Sequence, residues 1–175
     1  MRAFFLAFPA ALTLCAGLTA CSPALDWREI RPEGSGAVAM FPCKPTTHAR
    51  KVQLAGGEVL LTLYACTADD TTWALAFTDL ADPARVGRAL DELRLSAAAN
   101  IGAGAPRTLP LAVEGATPST ATGRVALEGK RSDGVAVQEQ VAVFAKGTRV
   151  FQATAIGARL PADGLEVFFG GLRAP

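Results

Sequence analysis

Apolar positions in this chain follow three rhythms. From Ala3 to Leu18 they run almost without a break, behind Met1 and Arg2. Between positions 26 and 78, and again between 123 and 156, they alternate with polar residues or form short runs stopped by Gly, Pro and Asp, which is the strand pattern. Between these blocks Val86, Leu90, Leu93 and Ala97 recur at helical spacing, and near the end Leu165, Phe168, Phe169 and Leu172 do so again. Strands are expected at 26–30 (an edge strand), 37–41, 48–54, 58–66 and 73–78, with turns at Gly56-Gly57 and Asp69-Asp70. Asp82 is placed to cap a helix that Pro83 opens and Gly102 and Gly104 close. Arg85, Arg88, Asp91, Glu92 and Arg94 fall mostly on its other side and are expected to be solvated. A weaker strand at 108–113 is interrupted by Pro110. Strands at 123–130 and 135–144 flank Ser132-Asp133-Gly134, a hairpin signal, and another at 149–156 follows Lys146-Gly147. A helix over 162–172 completes the run. The expected fold is α+β: an antiparallel sheet of about six to eight strands packed with a mid-chain helix and a C-terminal helix. No repeat or internal linker divides it, so 27–175 is expected to be one domain.

The first rhythm reads as a leader. A single positive charge and then an apolar stretch containing Pro9 suit a secretory signal better than a spanning helix, which needs about 20 apolar residues. It ends in Leu18-Thr19-Ala20-Cys21, the lipobox pattern: small residues that fit the signal peptidase and a thiol that takes the diacylglycerol. The expectation is cleavage after residue 20, lipidation of Cys21 and a tether over 21–26. An ordinary signal peptide with a chance cysteine is the alternative. Ser22 after the acylated cysteine favours the outer membrane, facing the periplasm.

The precursor carries 17 basic and 16 acidic side chains; losing Arg2 balances them at 16 each. A neutral chain has no bulk electrostatic reason to bind nucleic acid. With Cys15 discarded and Cys21 acylated, Cys43 and Cys66 remain. In an oxidising compartment they make one disulfide; two free buried thiols are the alternative.

Reaction chemistry is hard to find. His48 is the only histidine, so any catalytic triad or histidine-based metal site depends on it, and it reads as a surface residue after a proline-rich turn. There is no His-Glu-x-x-His, nucleophile elbow, P-loop or complete dinucleotide loop. Asp69-Asp70 and Asp91-Glu92 are adjacent acids in a turn and on a helix, unlike carboxylates held across a cleft. The expectation is therefore no catalytic residue, no metal and no cofactor. Trp27, with Arg28, lies where the tether meets the domain and is the candidate interaction pair.

The run Met40-Phe41-Pro42-Cys43-Lys44-Pro45, the segment from Gly147 to Ala155 and the stretch Glu166-Val167-Phe168-Phe169-Gly170-Gly171-Leu172-Arg173 together resemble small bacterial secreted proteins of the PsbP-like fold, including DcrB-like members. The resemblance covers most of 36–173. It implies an antiparallel sheet sandwiched by helices and mostly non-enzymatic accessory or binding roles, and it carries no catalytic residues across. Cys43 departs from it, standing where many relatives have glycine. Two functions are expected in turn: an accessory domain that docks on another envelope protein, or a binder of a small or lipidic ligand in a pocket between sheet and helices.

Overall fold

The computed structural model describes residues 25–175. The leader, the lipidation site Cys21 and most of the tether lie outside the described residues. In chain order the elements are β1 (Arg28–Ile30), β2 (Ala39–Phe41), β3 (Thr46–Leu54), β4 (Gly57–Ala68), β5 (Thr71–Asp79), α1 (Val86–Asn100), β6 (Arg107–Leu109), β7 (Gly123–Lys130), β8 (Ala136–Lys146), β9 (Arg149–Gly157) and α2 (Ala162–Gly170). Seven strands form one antiparallel sheet in the order β3-β4-β5-β9-β8-β7-β6. The α+β architecture is as the apolar rhythms predict.

Strand alternation divides the core in two. Trp73, Leu75 and Phe77 of β5, Phe144 of β8 and Phe151 of β9 share one face, which Leu165, Phe168 and Phe169 of α2 cover. Val125 and Leu127 of β7, Val141 and Val143 of β8 and Val150 of β9 share the other, which Ala89, Leu90, Leu93 and Ala97 of α1 cover. Full burial of each large side chain stabilises the fold by roughly 1.5–3 kcal/mol.

The first two strands depart from expectation. They do not extend the sheet but pair with each other, Arg28 opposite Phe41 and Ile30 opposite Ala39. Phe41 is fully buried, its ring edge-on to Phe168 at 5.6 Å. That apolar contact lays the ribbon across the α2 face beside the helix. A clasp fixes it there: Val38 and Arg173 exchange backbone hydrogen bonds of 2.8 and 3.0 Å, and Ala174 donates to the Glu114 carbonyl at 2.8 Å. The chain at Gly115 passes so close that a Cβ there would lie 2.2 Å from the Ala174 carbonyl oxygen. The stretch expected as a strand at 108–113 pairs with β7 only over Arg107–Leu109, because Pro110 ends the ladder.

The charged side of α1 also departs from expectation. The β3–β4 turn uses left-handed backbone at Ala55 (φ 50°) and Gly56 (φ 81°), a cost for a residue with a Cβ. The helix offsets it. Glu92 accepts from the Ala55 N–H at 2.6 Å, and Arg85 donates to the Ala55 and Leu54 carbonyls at 3.1 and 2.8 Å. The Ala55 N–H and the Arg88 guanidinium hold the Glu92 carboxyl below the usual carboxylate range. At the helix start, Asp82 caps a single 3-10 turn over Pro83–Arg85 by accepting from the Ala84 N–H at 2.9 Å. Cys43 and Cys66 form a disulfide with their Cα atoms 6.0 Å apart, fastening the segment after β2 to β4.

Candidate functional site

Alternation along β7 places Arg124 on the α2 face, opposite Val125 and Leu127. It is 7% exposed. Its Nε and Nη2 both donate to Gln140 Oε1 on β8, at 3.0 and 2.6 Å. The plane of the guanidinium rests on α2, with its carbon 4.0 Å from the Phe169 ring centre. Phe169 is the end of an aromatic row that positions it: Phe169 on Phe168 at 5.0 Å, Phe168 on Trp73 at 5.2 Å, and Trp73 on Trp27 at 5.6 Å. Burial pushes the Arg124 pKa down. The group stays a cation all the same, because an arginine starts so far above neutrality.

Around this cation the surface is concave. A groove of about 340 Å³ is lined by Leu109, Pro110, Arg124, Gln140, Leu165 and Glu166, among others. A second hollow of about 320 Å³ continues past Arg124, walled by Leu111, Ala112 and Phe169 and sharing Pro110, Arg124 and Glu166. Both are at the small end of ligand sites, which run from about 300 to 1,000 Å³. Pro110 follows the end of β6, residues 110–112 form one bank, and α2 forms the other. The Nη1 of Arg124 faces this space without a hydrogen bond among the described residues. Its nearest carboxylate is Glu166 at 3.9 Å, whose side chain is 81% exposed. The groove thus sets apolar walls, one cation and the carboxylates of Asp163 and Glu166 side by side.

A second buried charge lies on the other face. Glu139 of β8 is 6% exposed and stands in phase with Val137 and Val141, aligned with Leu127 and Ile156 on its two neighbouring strands. Among the described residues it has no ion pair or hydrogen bond. Burial alone pushes its pKa up to about 7.

The residues singled out from sequence lie elsewhere. His48 is exposed on β3, its Nε2 3.4 Å from the Thr46 hydroxyl. Trp27 is half-buried, its ring committed edge-on to Trp73, and Arg28 pairs with Asp26. The acids Asp69 and Asp70 occupy the β4–β5 turn, both in left-handed backbone. Among the described residues no group of three or more potential metal ligands gathers, and no helix is long and apolar enough to cross a membrane.

Sequence reasoning missed Arg124, Gln140 and Glu139. For Glu139 a signal existed: it takes an apolar position in the alternation of Val137, Val141 and Val143. For Arg124 there was none, since Arg124, Ala126 and Glu128 look like the wet side of a strand. No protein-family model matches the chain, and no curated protein matches it.

Proposed function

We propose that this chain is a lipid-anchored, non-catalytic binding protein on the periplasmic face of the outer membrane, and that its ligand occupies the groove between the sheet and α2. The resemblance to PsbP-like and DcrB-like proteins belongs to the same proposal. One observation carries the binding reading: a guanidinium more than nine-tenths buried has Nη1 aimed into an apolar groove with no hydrogen bond. A ligand acceptor at such a charged donor would make a charge-assisted hydrogen bond, roughly twice as strong as a neutral one. The acylated end of the chain would lead into the β1–β2 ribbon, which shares its face of the sheet with the groove.

Ala162 is exposed at the groove wall, at the start of α2. Ala162→Trp fills the groove without touching the core. The expected outcome in native mass spectrometry is a bound small molecule on the wild-type chain and none on Ala162→Trp, at unchanged melting temperature. Equal occupancy of both chains would end this reading. Membrane anchoring is checked separately: Cys21→Ser should abolish labelling by palmitate.

A second reading, an accessory domain docked on an envelope protein, is favoured by β3. This strand is one of the two sheet edges and is exposed from Thr46 through Lys51, open to pairing with a strand of a partner. The exposed apolar side chains favour it less, because Leu60, Leu95 and Val167 sit on three separate elements and Val135 in the β7–β8 loop.

A further inference from the structure

We infer that the ligand of the Arg124 groove is an amphiphile with a single carboxylate head on a short unbranched apolar chain, and that Glu166 is the group its head displaces. The inference rests on the groove reading above and adds the chemistry of the occupant.

The head follows from the donors. Gln140 gives its Oε1 to two Arg124 N–H groups. Nε and Nη2 form one edge of the guanidinium, so Nη1 points away from Gln140 and keeps its N–H donors for an acceptor in the groove. A carboxylate is such an acceptor, and Glu166 already brings one near. Glu166 is an imperfect internal substitute. At 3.9 Å it is too far from Nη1 for a hydrogen bond, and its side chain is 81% exposed, so leaving the site costs it little. The rim also sets the charge. Asp163 and Glu166 both line the groove. A monoanion replaces Glu166 against Arg124, whereas a phosphate dianion would bring a second negative charge against both acids. A cationic head would meet the Arg124 guanidinium, far less exposed than the carboxylate of Glu166.

The tail follows from the walls. On one side of Arg124 the groove offers Leu109, Pro110 and Leu165; on the other it offers Leu111, Ala112 and Phe169. The cation therefore sits between two small apolar hollows. With its head at Arg124, the single tail fills the hollow of Leu109, Pro110 and Leu165, the larger of the two and the one that Ala162 lines.

The test uses the full chain carrying Cys21→Ser, which changes no described residue. The probes are decanoate, acetate, decanol, decyl phosphate and decyltrimethylammonium, titrated by calorimetry at pH 8 and low salt. Decanoate is expected to bind, with each other probe weaker by about tenfold or more, the size of one desolvated charge-assisted contact or of the lost tail. Glu166→Gln, at an exposed position, is expected to tighten decanoate several-fold and to leave the melting temperature unchanged. Ala162→Trp is expected to abolish binding.

Other outcomes separate the two claims. Decanol binding as tightly as decanoate, and lost in Ala162→Trp, would overturn the carboxylate head and leave the groove reading standing. Decyl phosphate binding more tightly than decanoate would overturn the choice of head in the same way, and acetate matching decanoate would overturn the tail. No gain with Glu166→Gln would remove Glu166 from its role as the displaced group. If no probe binds, or binding survives Ala162→Trp, the groove reading fails and the inference with it.

Discussion

Arg124 and Glu139 are a matched pair with opposite surroundings. Each is buried, 7% and 6% exposed, on neighbouring strands of the same hairpin, but they face opposite sides of the sheet. On the α2 face the arginine has an amide that takes two of its protons, an aromatic ring beneath it and an opening to solvent along one edge. On the α1 face the glutamate is set among valines, a leucine and an isoleucine with nothing to accept from. The first environment keeps a charge; the second expels one, and the carboxyl responds by holding its proton to about pH 7. Burial alone therefore does not mark a functional charge in this fold. What distinguishes Arg124 is that its desolvation is compensated on two sides and left open on the third.

Neutralising each charge should act in opposite directions, and the largest effect is expected at Arg124. Arg124→Ala leaves Gln140 Oε1 unpaired, removes the contact with Phe169 and opens a void, costing about 4 kcal/mol in urea denaturation. A loss under 1 kcal/mol would mean that the α2 face does not hold this cation as described.

Glu139→Gln should stabilise, and only at higher pH. The folded carboxyl titrates near 7 and the unfolded one at its ordinary value of 4.5. Between these values the folded state holds a proton that the unfolded state lacks. Stability therefore falls as pH rises from about 4.5 to about 7 and is level above. The amide has no such charge to bury, so the variant should gain about 3 kcal/mol over wild type at pH 8 and under about 1 kcal/mol at pH 5. Parallel denaturation curves for the two proteins at both pH values would dissolve the contrast between the faces.

The disulfide supplies a reference with no ionisable group. Cys43→Ser and Cys66→Ser should each cost about 3 kcal/mol, equally, and by the same amount at pH 5 and pH 8. Unequal losses would show that one sulfur matters outside the bond. The smallest effect belongs to Glu166→Gln, expected within 0.5 kcal/mol by thermal melting because an exposed ion pair at that distance contributes little.

How much of this was legible in the sequence depends on where the information lies. The seven-stranded sheet and both helices were readable because alternation and helical spacing are local properties, and Asp82, Pro83 and the Asp133-Gly134 pair act within a turn. The β1–β2 ribbon was misplaced because its position is set by Phe41 meeting Phe168 and Val38 meeting Arg173, partners at the far end of the chain. The role of Arg85 and Glu92 was hidden for the same reason. A helix side that looks wet by spacing turns out to grip a turn that the sequence brings there only through the sheet. The groove was not legible at all. Its two banks come from residues 109–112 and α2, and Arg124 is buried only when both close over it. Glu139 is visible in the sequence as a charge in the apolar phase of Val137, Val141 and Val143.

The clasp at Arg173 has a topological consequence. Glu29 lies 3.1 Å from the Arg173 guanidinium, so the two ends of the described chain finish side by side. A short peptide joining residue 175 to residue 25 should then be tolerated, with new ends opened at the exposed Ser132-Asp133-Gly134 hairpin. Such a permuted chain would keep every contact of both faces while moving the free ends to the opposite end of the sequence. The connectivity of this fold is thus separable from its architecture.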